Sequence, residues 1–501
     1  MFYGIFFALA VGSVLALYFT KICKSTNPLI ERIAKILVIV WMSIYFINLF
    51  LPDGLVLRTY NDTSMYQSSE NIWFVMLRWC NDVAFLVLPV AVFFKKDLFI
   101  KITGYFLSIV CLINVICYFK YIAFYTSPLG AGIAEIRFLS EGAKAFLRDA
   151  TFRSFYFGVM MYLELILIAY IFIRHFDVLK NQMVDLFTGK ANVKGILLGL
   201  GAFLLIFLSI VPIYAPQYIF KGYSRSDVQA FDTFKMAEPF HIIWVVMVIV
   251  EGVALTLLFR KKDYETKYIV VLMLALSLVM QYNQMFTCIG EITAHRMPFQ
   301  LCNMAGLFIL VMLLTRSERM YHFTLVINAV GALIAMALCD TSPFGVAYVM
   351  NIHYMLEHTN VILAPILCAT LGLFPKLKSK HVIDFLVGWV IYFTFILLVG
   401  GTFRGLHNLG GPNADYWDAN YLFMFDKAET SSIVGFIGPL FDINFTLFNF
   451  FTFNLTQALI FLVFPLICTG VFFLMKVLLN IGKKTDGFPE GADELKAKLK
   501  I

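Results

Sequence analysis

The sequence predicts an all-α polytopic membrane protein, and three observations carry that prediction. Of its 501 residues, 60% belong to the apolar set and only 14% are charged, where a soluble chain holds about 45–50% and about 25%. Mean hydropathy is +0.82. Uncharged runs of about 20 residues recur from end to end, the length a helix rising 1.5 Å per residue needs to cross roughly 30 Å of hydrocarbon. Membrane-spanning β-strands would be about 10 residues long and alternating, so they are excluded. A disulfide scaffold, a nucleic-acid binder and a disordered tail are excluded with them.

About thirteen transmembrane helices are expected, at 2–20, 33–51, 72–94, 98–119, 152–174, 194–214, 239–259, 267–287, 297–315, 321–340, 353–374, 382–402 and 451–475. The first run starts at residue 2 without a charged leader, and its basic flank follows it, so it reads as an uncleaved reverse anchor. The segments that follow odd-numbered spans hold 26 of the 39 basic residues and 12 of the 32 acidic ones. Lysine and arginine collect on the cytoplasmic side of a membrane. The amino terminus is therefore expected outside and the carboxy terminus in the cytoplasm; short loops and a basic inner side suit a bacterial plasma membrane. The net charge of +7 is a signal of this topology and gives no reason to expect nucleic acid. Most of the nine cysteines, including Cys80, Cys111, Cys117, Cys302, Cys368 and Cys468, fall inside spans, where they cannot be read as a disulfide framework.

The spans repeat. LALYFTKICK (15–24) is similar to ALTLLFRKKD (254–263), and LRWCNDVAFLVLPVAVFFKKD (77–97) to PFQLCNMAGLFILVMLLTRSE (298–318), which sets Cys80-Asn81 opposite Cys302-Asn303. Six spans separate equivalent points, an even number, so two six-helix repeats run parallel and one helix is left over. The organisation expected is a diverged or accessory repeat at 1–238, a membrane domain with the candidate site at 239–480 and a basic cytoplasmic tail at 481–501. Between Cys80 and His175 the first repeat has no histidine, whereas the second is rich in them.

Polar groups in hydrocarbon are costly and mark function. Span nine, entered from outside at about Met297, sets Cys302 roughly 8 Å deep, and span eleven, entered at about His353, sets His358 at a similar depth. A cysteine attacks as thiolate, and a neighbouring imidazole takes its proton. Gln300, Asn303, His353, Glu357 and Asn360 surround the pair as candidates for orienting and oxyanion roles, with His353 and Glu357 on one helix face. A membrane cysteine is otherwise a small hydrophobe, and His322 and His381 read as interfacial. Glu164 and Glu251 near the bilayer midplane, with Arg78 and Asp82 one turn apart, support an alternative, a transporter or lipid-translocating protein. A non-catalytic scaffold is the third reading. In the outer loop 403–450, His407, Asp415, Asp418 and Asp426 match no compact metal signature, so no metal site is assigned. The chain has no phosphate-binding glycine loop, G-x-S-x-G, HExxH or CxxC.

The second half resembles the bacterial YwaF-type family of integral membrane proteins. The resemblance lies in MPFQLCNMAGLFILVMLLTRSERMYHF (297–323), in EHTNVILAPI (357–366), in NYLFMF (420–425) and in Gly438-Pro439 before the last helix, and covers about 239–480. Animal relatives of that family resemble cysteine-dependent acyltransferases that remodel phospholipids, which implies Cys302 as nucleophile and His358 as its base. The family often has a histidine within a residue or two of the cysteine, where this chain has Gln300 and Asn303. The expectation is an outer-leaflet lipid acyltransferase or transacylase that passes an acyl group from a membrane lipid through a thioester on Cys302, with no cofactor. Membrane lipids are its expected substrates.

Overall fold

The computed structural model describes residues 2–24, 27–47, 69–94, 96, 107, 109–118, 140–190, 192–220, 234–289, 293–339, 345–428, 430, 435–448, 450–481 and 487–499. Its helices, in chain order, are α1 (Phe2–Thr20), α2 (Pro28–Tyr45), α3 (Ser69–Phe93), α4 (Ile109–Tyr118), α5 (Glu141–Arg148), α6 (Ala150–Arg174), α7 (Phe176–Phe187), α8 (Val193–Ile210), α9 (Tyr214–Ile219), α10 (Pro239–Phe259), α11 (Tyr264–Ile289), α12 (Leu301–Thr315), α13 (Glu318–Leu338), α14 (Val349–Thr370), α15 (Val382–Asn408), α16 (Leu455–Leu479) and α17 (Ala492–Leu499). A helix falls on each of the thirteen expected spans. Among the described residues, nine are long and apolar enough to cross a membrane, so the protein is an all-α polytopic membrane protein. Span four is described only in part.

Two compact units form. The first comprises 1–204, 283–291 and 493–501, the second 205–282 and 292–492. In unit 1, α1 lies along α6, with Phe6 against Phe155 (5.6 Å between ring centres) and over Gly158, where a Cβ would collide with it. Local chemistry starts the helices: Asn27 accepts from Leu29 N–H at 2.9 Å ahead of Pro28, and Asp149 accepts from Thr151 and Phe152 N–H at the start of α6.

In unit 2, α14 is the central helix, buried along most of its length. Around it α10, α15 and α16 turn apolar faces outward; on α10 the exposed row includes Ile242, Val246, Ile249, Val253 and Leu257, the surface a bilayer covers. Gly306 brings α12 close to α11, since a Cβ there would sit 3.0 Å from Leu278 Cβ. Within α13, residues Thr324–Asn328 form a π-helical turn, and its last residue, Asn328, donates to the Leu301 carbonyl at 2.8 Å. The segment between α15 and α16 holds an antiparallel hairpin, β1 (Asn444–Leu447) with β2 (Phe451–Asn454), in register Asn444 opposite Asn454. Asn454 then opens α16 by a reciprocal cap with Gln457. The tail is also tied down: the Arg316 guanidinium donates to the Ala492 carbonyl and lies 4.4 Å over the Phe488 ring.

Two helix starts differ from expectation. Span nine becomes helical only at Leu301, because Pro298 holds Met297 in extended backbone (φ −62°, ψ 146°) and Gln300 is extended too. Span eleven begins four residues early, at Val349. Cys302 is therefore the second residue of α12 and His358 the tenth of α14.

Candidate active site at the start of α12

Helix starts leave their first N–H groups without partners in the helix. At α12 the N-cap residue Gln300 supplies no side-chain cap. Its amide is spent elsewhere: Nε2 donates to the Asn420 carbonyl (3.2 Å) and Oε1 accepts from Leu422 N–H (3.0 Å), which fastens the 420–422 segment over the helix start. The backbone donors of the first turn, with Cys302 in it, thus have no side-chain cap from Gln300, and with the positive end of the helix dipole they suit an anion or a developing oxyanion. Cys302 keeps part of its surface exposed.

Facing this turn is the side of α14 that carries His353 and Glu357. Glu357 lies near Cys302, and Cys302 near Tyr392 of α15. Asn303 bridges the two helices. With its oxygen turned to the Tyr282 hydroxyl (2.7 Å), its nitrogen donates to Glu357 at 2.6 and 3.1 Å. His353 Nε2 stands 3.8 Å from Glu357 Oε2, and its ring meets that of Tyr282 edge-on at 6.1 Å. Four residues singled out in the sequence, Cys302, Asn303, His353 and Glu357, are thus brought together.

His358 is one residue further, about 100° around the helix. Its Nδ1 lies 2.6 Å from the Tyr354 carbonyl and its ring 4.2 Å from that of Tyr354. A carbonyl can only accept, so Nδ1 carries the proton and Nε2 the lone pair. Asn360 donates to the Ser209 carbonyl at 2.7 Å and is not spent on the imidazole. Tyr282 and Tyr392 were missed in the sequence; the only signal for Tyr282 is the polar run Gln281-Tyr282-Asn283-Gln284 closing an otherwise apolar span.

The carboxylates of the transport reading are held by neighbours. Arg78 and Asp82 pair at 3.3 Å, as their spacing predicts, with Gln284 donating to Asp82 at 2.8 Å. Glu164 accepts from Asn114 at 2.5 Å and Tyr118 at 3.1 Å, and Tyr118 lies 2.9 Å from Asn81. In unit 1 the Cys80-Asn81 pair has the Tyr118 hydroxyl and the Glu164 carboxyl near it. There the cysteine is fully buried and in mid-helix. Glu251 accepts from the Ser209 hydroxyl.

Of the residues weighed for a metal in the outer loop, Asp418 and Asp426 both pair with Arg404, at 2.5 and 3.1 Å, and His407 Nδ1 lies 3.0 Å from the Ala414 carbonyl. A cavity of about 290 Å³ beside the hairpin is lined by Arg404, Lys427, Asp442 and Gln457, among others, and by none of the residues around Cys302. At the start of α13 and α15, Glu318, His322 and His381 cluster. The rings of His322 and His381 are stacked at 4.0 Å and 22°, and Asp384 (2.8 Å) and Lys378 N–H (3.2 Å) engage the two Nδ1 atoms. This is the geometry of a hydrogen-bonded stack.

No curated protein and no solved structure gives a significant match to the chain. The stretch that does match a known family begins and ends within four residues of 239–480. Residues 236–476, just under half of the chain and including Cys302, Asn303, His353, Glu357 and His358, match the TMEM164 family, a family of membrane proteins.

Proposed function

We propose that the protein is a membrane-embedded lipid acyltransferase or transacylase with Cys302 as nucleophile. One observation supports this above others: a partly buried cysteine in a helix first turn that its N-cap residue leaves without a side-chain cap, with the carboxyl group of Glu357 nearby. The Cys302 sulfur attacks the ester carbonyl of a membrane glycerolipid while its proton passes to Glu357. First-turn N–H groups of α12 stabilise the oxyanion. Collapse breaks the ester C–O bond, Glu357 returns the proton to the departing lysolipid oxygen, and a thioester remains. An acceptor hydroxyl then attacks that thioester, gives its proton to Glu357, and the thiolate takes it back. Asn303 orients Glu357 throughout, and Gln300 positions the covering loop. His358, with its lone pair on Nε2, is the competing base.

The first unit reads as a diverged copy of the same six-helix repeat that keeps the Cys-Asn-Tyr-Glu pattern in closed form. The amino terminus is placed outside by the basic residues, which puts Cys302 at the outer leaflet, near the depth of lipid ester carbonyls. The test is to incubate membranes with an alkyne-tagged phospholipid and look for label on the protein that hydroxylamine removes. Label on wild type that is absent from Cys302→Ala supports the thioester. No label on well-folded wild type with any of several donor lipids would overturn the reading.

A further inference from the structure

Helix α7 joins two membrane spans. One residue, His175, separates it from the end of α6, and residues 188–192 lead from it to α8; both neighbours are long and apolar enough to cross a membrane. Its 12 residues, FDVLKNQMVDLF, fall into three sides at about 100° per residue. Phe176, Met183 and Phe187 lie within about 20° of one line, and all three are exposed, Phe187 at 83%. Asp177, Asn181 and Asp185 lie about 100–180° from that line and are exposed as well. The third side, with the buried Leu179, is turned to the protein. Lys24 reaches Asp177 at 3.1 Å on the polar side, so the apolar stripe is left open.

An apolar stripe gains nothing from water, and the place of α7 in the chain says what covers it. The chain leaves hydrocarbon where α6 ends and re-enters it with α8, so both ends of α7 are tied to the same face of the bilayer. The return link opens with a turn, Thr188 N–H bonding to the Val184 carbonyl at 2.9 Å and Gly189 taking φ +69°. A helix of about 18 Å held in this way lies along the membrane. Its charges select the lipid. Lys180 stands about 40° from the stripe, Lys190 and Lys194 follow beyond its end, and all three are exposed. Asp185 is on the far side. We propose that α7 is an interfacial helix that binds anionic phospholipids of the leaflet where α6 ends. Phe176, Met183 and Phe187 sink among the acyl chains, and Lys180, Lys190 and Lys194 meet the negative headgroups. The stem of Lys180 runs beside the stripe with its ammonium group at headgroup level. The charge of that leaflet then sets how firmly α7, and with it the end of α6, is held.

The test uses the full-length protein in nanodiscs of phosphatidylcholine, with and without added phosphatidylglycerol, and follows hydrogen–deuterium exchange. Exchange across α7 is expected to slow about tenfold or more with the anionic lipid, since each basic residue near such a surface adds on the order of fivefold. Raising the salt should shrink the difference, and the triple variant Lys180→Gln, Lys190→Gln, Lys194→Gln should abolish it. Phe187→Ser should speed exchange in both nanodiscs, whereas Asn181→Ala, on the polar side, is expected to behave as wild type. Phosphatidylglycerol with a diazirine on its acyl chain should label the tryptic peptides 175–180 and 181–190 of the wild type. Equal exchange in the two nanodiscs, or absence of acyl-chain label from both peptides, would overturn the proposal. Slowing that follows protein concentration instead of lipid charge would put a second copy on the stripe and overturn it too. The readout involves no acyl transfer, so it stands apart from the reading of Cys302.

Discussion

Asn303 and Glu357 meet across two helices, the amide nitrogen 2.6 Å from one carboxylate oxygen and 3.1 Å from the other. That contact turns Glu357 toward the turn that carries Cys302, and it decides which residue of α14 is tested first as a base. Glu357→Gln is expected to lower the rate of thioester labelling by about 100-fold or more, within the range that general bases contribute. His358→Ala should lower it less. Single-turnover labelling of both variants checks this, and a larger loss in His358→Ala would transfer the role of base to the histidine.

Gln300 holds the 420–422 segment by two hydrogen bonds. Gln300→Ala removes both and leaves the Leu422 N–H without its partner, a loss of about 1 kcal/mol, while the Asn420 carbonyl keeps the Phe423 N–H at 3.1 Å. Limited proteolysis should then cut within 412–430 faster than in wild type, while Cys302 still takes up label.

Gly400 of α15 lies under the Phe425 ring, in closer contact than a Cβ allows. Gly400→Val should cost about 1–3 kcal/mol through overpacking and lower the unfolding temperature in detergent. Gly470 on α16 meets nothing within 4 Å of a built Cβ, so Gly470→Ala should leave that temperature the same or slightly higher.

Backbone N–H groups at the start of α6, that of Phe152 foremost, hold the Asp149 carboxyl below its ordinary range. A depressed carboxylate contributes stability above the pKa of the unfolded chain, and that contribution fades as pH falls through the folded value. Acidification should therefore fray α6 at its first turn in wild type. In Asp149→Asn, whose cap does not titrate, the protection of the Thr151 and Phe152 amides relative to an unfolded chain at the same pH should stay constant over that range.

The orientation expected from the basic residues would have the 403–450 segment outside and the α10–α11 turn inside. Asn413→Cys should react with an impermeant maleimide on intact cells, and Lys262→Cys only after permeabilisation; both native side chains are exposed. The reverse pattern would invert the molecule and move Cys302 to the inner leaflet.

The membrane helices were legible because apolar runs of that length have one solution in a bilayer, and among the described residues nine helices are long and apolar enough to cross one. Helix starts were less so. Pro298 delays α12 by one turn, and the eight-residue stretch Ala347–Tyr354 gives no sign in composition of where α14 begins. Candidate residues were legible as types, since a cysteine, histidines and a glutamate stand out in hydrocarbon. Their partnership was not: residues 357 and 358 differ by about 100° around the helix, and only packing against α12 decides which of them meets Cys302. Tyr392 and Tyr282 looked like any aromatic residue of an apolar span. The hairpin of Asn444–Leu447 and Phe451–Asn454, four residues per strand, is too short for its alternation to register.

The π-helical turn of α13 spends one residue more per turn than an α-helix would. Seen as a genetic event, it is a single-codon insertion that a folded helix has absorbed without breaking. Deleting one residue from Thr324–Asn328 would heal the helix with both flanks kept in register, because the wide turn has already taken up the extra residue. The deletion that costs most is that of Asn328, which carries the bond to the Leu301 carbonyl. An in-frame deletion of three nucleotides, far in sequence from the cysteine, would then be felt one residue away from it.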